Sequence, residues 1–138
     1  MKLLTTTIAA MAITGSAMAF PTYTDEDNVA LVATTNQGNV YYMLGDTVEV
    51  RDTMVRVWLH MDARENEEAD YYDAKQFIAY DCMLKTMKIL SILTYDEAGD
   101  VFWRIGAQDT QYIVPGSIGD DIAQYACAFG GMLDDYRD

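Results

Sequence analysis

The sequence predicts an α+β fold: a single antiparallel sheet of about six strands with a C-terminal helix packed on it, stapled by a disulfide. Three observations carry this. Between residues 29 and 105, short β-rich runs follow one another with links of a few residues, which favours antiparallel pairing. After Ser117 the apolar spacing changes from two residues to that of a helix. Two cysteines, Cys82 and Cys127, fall one in each of these regions.

Each element has its own signal. Residues 29–35 are apolar and β-branched, and the turn-like Asn36-Gln37-Gly38-Asn39 separates them from a second run at 40–44. Gly45-Asp46 reads as a further turn before an alternating run at 47–50. Residues 54–61 give the clearest strand, with Val55, Val57, Leu59 and Met61 on one face and Arg56, Trp58 and His60 on the other. That period of two marks a sheet with one face on a core. Residues 63–70 (ARENEEAD) are charged and lack an apolar stripe, so a solvated hairpin loop is preferred to a helical turn.

Two longer runs come next. In residues 71–84, Ile78, Tyr80, Cys82 and Leu84 share a face; in residues 85–95, Met87, Ile89 and Leu93 do. Residues 96–100 form a hairpin turn in which Gly99 supplies a positive φ, and residues 101–105 return. The spacing of Ile118, Ile122, Tyr125, Ala126 and Phe129 then predicts a helix face. Ser117 caps it with Asp120 three residues on, Asp120 and Asp121 suit the positive end of its dipole, and Gly130-Gly131 stops it. An acidic, frayed tail is expected at 131–138.

The amino terminus is of another kind. Lys2 precedes an uncharged run to Ala19 with an apolar middle and a small-x-small end at Ala17-Met18-Ala19. This is the pattern of a signal peptide, residues 1–19, cleaved after Ala19. A retained anchor is disfavoured because the run is threonine-rich and holds Gly15 and Ser16, whereas a spanning helix wants about 20 strongly apolar residues. Residues 20–28 (FPTYTDEDN) read as a flexible arm, and residues 29–130 as one domain. Export to the periplasm, the cell surface or the medium is the expectation, with no membrane span.

Charge excludes some functions. The formal charge is −13, and becomes −14 without Lys2 because all 22 acidic residues lie after residue 19. No basic stripe is visible, so nucleic acid is not an expected partner. With 51% hydrophobic residues, the chain folds behind an acidic surface and is not a disordered tail.

In an oxidising compartment Cys82 and Cys127 read as a disulfide. The alternative, a two-cysteine metal site, has no local partner, since the single histidine, His60, is distant from both in sequence. No catalytic, cofactor or metal site is expected. His60 lies on the mixed face of its strand with Asp62 two residues on, but no marked nucleophile accompanies it, and it reads as a surface or edge histidine. The acidic groups at 25–27, 65–70 and 120–121 lack the loop spacing of a calcium hand and read as solvated faces. Nine methionines form no copper-type cluster with histidine. Ten tyrosines either fill the sheet or line a recognition surface; Tyr41-Tyr42 and Tyr71-Tyr72 must point to opposite faces.

Three stretches together resemble the surface-adhesin protein E-like family of exported Gram-negative proteins. They are VRVWL at 55–59, the run from Tyr80-Asp81-Cys82 to Gly99 (YDCMLKTMKILSILTYDEAG), and Ile113-Val114-Pro115-Gly116-Ser117 with Ala126-Cys127 beyond it. The resemblance spans residues 39–129. It implies one antiparallel sheet, a C-terminal helix and a disulfide between them, with Cys82, Cys127, Pro115, Gly116 and Ser117 as structural positions. The family's namesake is lipid-anchored and binds host matrix and serum glycoproteins. This chain departs from it in having no cysteine at the cleavage point, and in carrying QDTQY at 108–112 where a tryptophan often stands. The resemblance implies a non-enzymatic binding protein, adhesin-like, recognising a host glycoprotein or an envelope protein through its sheet. The alternative is a periplasmic structural or envelope-associated protein with no host partner. An unpaired sheet edge also predicts a homodimer.

Overall fold

The alternation at residues 54–62 becomes the centre of a sheet. The computed structural model describes residues 28–138; the expected signal peptide and almost all of the expected arm lie outside them. In chain order the elements are β1 (Val29–Thr34), β2 (Val40–Arg51), β3 (Met54–Asp62), β4 (Asp73–Asp81), β5 (Thr86–Tyr95), β6 (Val101–Ile105), β7 (Gln111–Tyr112), α1 (Ile118–Phe129) and α2 (Leu133–Arg137). The strands form one antiparallel meander in the order β1-β2-β3-β4-β5-β6, and the two-residue β7 pairs with β5 where β6 does not.

Val55, Val57, Leu59 and Met61 are buried beneath the helix side of the sheet, joined from β4 by Ile78 and Tyr80 and from β2 by Met43. α1 meets this layer with Ile122, Ala123, Ala126 and Cys127. The buried face is therefore turned from the expected one: Ile118, Tyr125 and Phe129 stay at least partly exposed. Alanine is the reason, since its small side chain lets the helix approach closely. At the helix end, a Cβ on Gly130 would come within 2.6 Å of Val55 Cγ2. α1 packs on β1 to β4, leaving β5 and β6 to extend past it.

The disulfide joins Cys82 to Cys127 with both residues fully buried. Cys82 sits just past β4, its N–H donating to the Thr53 carbonyl. The helix start is held locally. Ser117 Oγ accepts from the Asp120 N–H at 3.1 Å and donates to the Val114 carbonyl, while the Asp120 carboxylate accepts from the Gly116 N–H and the Tyr136 hydroxyl. Pro115 and Gly116 make the turn before this cap, Gly116 with φ +80°.

Four local expectations change. Gly45-Asp46 is no turn: β2 runs through it with a register shift between Leu44 and Glu49, so two expected strands are one. A second shift passes over Leu90, which moves Leu93 to the face opposite Met87 and Ile89. Leu84 leaves the face of Cys82 because Asp81 Oδ1 accepts from the N–H groups of Met83 and Leu84, curling the chain into a turn and exposing Leu84. The tail at 131–138 is not frayed. Residues 133–137 form α2, and Tyr136 is buried, with its ring 5.8 Å from Lys85 Nζ.

Candidate functional site

With α1 on one side, the other side of the sheet is where functional side chains converge. The register places there Leu44, Trp58, Phe77 and Ser91 in one row across β2 to β5, and Tyr42, His60, Lys75, Leu93 and Arg104 in the next. Trp58 and Phe77 stack with centroids 4.9 Å apart and planes 20° from parallel. The Arg56 guanidinium lies over the Phe77 ring at 5.5 Å and pairs with Glu49. Such an exposed pair contributes little to stability.

At the loop end of this face, aromatic and charged groups interleave. His60 is fully buried, not a surface or edge residue as expected, because it occupies the third strand of a six-strand path with Tyr42 beside it. Its Nε2 lies 2.6 Å from Asp73 Oδ2 on β4, and burial pulls its proton affinity below the ordinary value although Asp73 opposes this. Asp62, expected beside His60, is held instead by Arg64 through two hydrogen bonds of 3.0 and 2.8 Å, which raise the Arg64 pKa. Arg64 lies over Tyr72 and Lys75 over Tyr95, each at 5.8 Å. A hollow of about 280 Å³ opens between His60, Tyr72, Lys75, Tyr95 and the turn at 96–99. Tyr41 and Tyr42 point to opposite faces, the first toward the core and the second toward this hollow's side.

A further hollow of about 370 Å³ lies at the other end of the same face, between Met54, Arg56, Asp81, Lys88, Leu90 and Thr110. The edge strand β6 carries Phe102 and Trp103 at 54% and 59% exposure, values that set them apart from the aromatic residues inside the sheet. Sequence reasoning passed over both because their environment depends on the helix stopping short of β6. The weak signal available was the aromatic pair in a five-residue run directly after a glycine turn.

Among the described residues no group of three or more His, Cys, Asp or Glu side chains is arranged to hold a metal ion, and no helix is long and apolar enough to cross a membrane. Of the named sequence positions, Cys82 and Cys127 come together in the disulfide, while Pro115, Gly116 and Ser117 lie at the start of α1, away from the open face of the sheet.

The sequence profile of the surface-adhesin protein E family matches residues 29–128, which is β1 through nearly all of α1. The chain belongs to the surface-adhesin protein E family. That match takes in every strand, both cysteines and the Ser117 cap of this surface-adhesin E chain. Two structures of Haemophilus influenzae protein E are similar to it. One, in crystal form II, shares 16% identity with a TM-score of 0.49 over 66% of this chain and 82% of that one. The other shares 16% identity with a TM-score of 0.48 over 75% and 84%. No curated protein sequence matches.

Proposed function

We propose that this chain is an exported, non-enzymatic adhesin that recognises a protein partner, a host glycoprotein or an envelope protein, through the side of its sheet that α1 leaves open. Family membership supports the adhesin reading. The observation that carries the choice of surface is the Trp58–Phe77 stack flanked by hollows on a face with no helix over it. Aromatic residues and arginine are the side chains most enriched at protein interfaces. His60 fits a structural role better than a catalytic one, since its imidazole is fully buried against Asp73 rather than presented to a substrate.

Export through cleavage after Ala19 belongs to the same reading, as does self-association along β6, whose outer edge and exposed Phe102 and Trp103 are available to a second copy. The decisive experiment is surface binding of the purified chain to immobilised matrix glycoproteins at physiological salt. Saturable binding that a Trp58→Ala change weakens is expected; no saturable binding removes the adhesin reading. Light scattering across micromolar concentrations tests the dimer, and a strictly monomeric mass removes it. The intact mass of protein recovered from its host should correspond to a chain starting at Phe20.

A further inference from the structure

The large apolar side chains that stay in water are not scattered. Among the described residues, Tyr112, Leu84, Val114 and Met83 are 83%, 68%, 66% and 58% exposed, and of the other large apolar side chains only Trp103, at 59%, exceeds Met83. All four lie in two segments that the backbone holds side by side. Tyr112 pairs with Thr86, and the Ile113 N–H donates to the Lys85 carbonyl at 3.0 Å. That pairing brings the turn at Met83-Leu84 next to Val114. Ile113 is turned into the core, so strand alternation sends Tyr112 and Val114 the other way. Ile118, also exposed, follows at the start of α1. A turn and a two-residue strand at the end of a sheet ordinarily carry polar residues, and an apolar patch in their place marks a contact with something else.

Negative charge avoids the same place. The chain holds 22 acidic residues, yet none falls in 82–95 or 110–119, whose charges are Lys85 and Lys88 alone. The acids that flank the pole are tied down. Asp81 Oδ1 accepts from the N–H groups of Met83 and Leu84, and the Asp120 carboxylate accepts from the Gly116 N–H and the Tyr136 hydroxyl. Asp109 and Asp121 are the nearest exposed acids in sequence. The pole also keeps its donors occupied. The N–H groups of Met83, Leu84, Lys85, Ile113, Gly116 and Ser117 are all bonded within the molecule, and Pro115 has none. Immersion in an apolar medium therefore strands none of these donors.

We propose that this pole docks on the surface of a phospholipid bilayer with zwitterionic headgroups. Met83, Leu84 and Val114 enter the acyl boundary, Tyr112 sits at headgroup level with its hydroxyl in water, and Lys85 is placed to reach headgroup phosphate. Charge selects this occupant. An apolar pole bordered by lysine and cleared of carboxylates complements a surface that is apolar beneath its phosphates, while the net charge of −13 opposes a strongly anionic membrane. Side chains that project singly from turns need a socket in a rigid partner, whereas lipid closes around them. The contact is peripheral, since no helix among the described residues is long and apolar enough to cross. It adds a second surface to the molecule and does not depend on the open face being the recognition surface.

The test uses the disulfide-bonded chain and phosphatidylcholine vesicles, with bound protein separated by sedimentation. The wild type is expected to sediment with the vesicles at about 0.15 M salt and to stay bound at about 1 M, because apolar contact is not screened. Adding phosphatidylglycerol should weaken binding at low salt. The double change Leu84→Ser with Val114→Ser should lower the bound-to-free ratio about tenfold at unchanged melting temperature. Phe102→Ser with Trp103→Ser, comparably exposed but outside the pole, should change it less than about twofold. Wild type left in the supernatant overturns the assignment, and so do equal loss in the two variants, release by salt, or tighter binding with phosphatidylglycerol. Self-association that the Leu84/Val114 change abolishes, in the absence of vesicle binding, gives the pole to a second copy and overturns it as well.

Discussion

The two halves of the sheet are built by the same pairing rules and finished differently. β1 to β4 lie under α1, and their inward side chains meet Ile122, Ala123, Ala126 and the disulfide in a buried layer. β5 and β6 are joined by an equally regular ladder, yet α1 does not pack on them, and β6 shows solvent on all its residues but the half-buried Ile105. The difference teaches that backbone pairing fixes topology while the helix fixes stability. The covered half holds the fold; the uncovered half is free to present side chains.

That comparison is sharpest at the disulfide. Replacing Cys82 and Cys127 with alanine should destabilise the chain by about 4 kcal/mol, the loop-closure value for a separation of 45 residues, measured by urea unfolding. A loss near zero would mean the covered half stands without its staple. Leu59→Ala, in the same layer and fully buried, should cost about 3 kcal/mol through the cavity it leaves. Trp103→Ser, an equally drastic change on β6, should shift stability by less than about 0.5 kcal/mol. Comparable losses at Leu59 and Trp103 would erase the distinction between the halves. Between these extremes, Ser117→Ala removes the acceptor for the Asp120 N–H and should cost about 1 kcal/mol.

How far the sequence reveals this division depends on the element. β3 is legible because its alternation runs unbroken from Val55 to Met61, and α1 because its capping serine and apolar spacing agree. The disulfide is legible from compartment and count. The register shifts in β2 and β5 are not, since three extra residues in the first and one in the second leave composition untouched while exchanging the faces of every later residue in the strand, as at Leu93. α2 is too short to carry a periodic signal and is held by Tyr136, whose hydroxyl finds Asp120 sixteen residues earlier. The candidate surface lies in the same blind spot. Arg56 and Trp58 are visibly on one face of a strand, but only cross-strand register brings Phe77 beside Trp58 and places Lys88 and Arg104 on the same face.

His60 yields the smallest and most specific effect. Burial lowers its pKa below the ordinary value of 6.5 in the folded chain. As pH falls below about 6.5, the unfolded chain therefore takes up the proton before the folded one, and stability declines through that window. His60→Gln should remove this part of the pH dependence, leaving the carboxylate-driven decline at lower pH. The comparison is of the slope of unfolding free energy between pH 5 and 7 in the two proteins; an unchanged slope would mean that Asp73 cancels the effect of burial, and a steeper one that it outweighs it.

The sulfur–sulfur bond has a consequence for biogenesis. Neither Cys82 nor Cys127 has any surface in the finished molecule, so no thiol donor or oxidising enzyme can reach the bond once α1 has docked. Oxidation must therefore happen while the helix still swings free of the strands, and Cys82 must wait as a thiol for its partner, synthesised 45 residues later. Once closed, the link is inaccessible to reducing agents that cannot first prise the helix away, so resistance to reductant should track the rate of local opening rather than reductant strength.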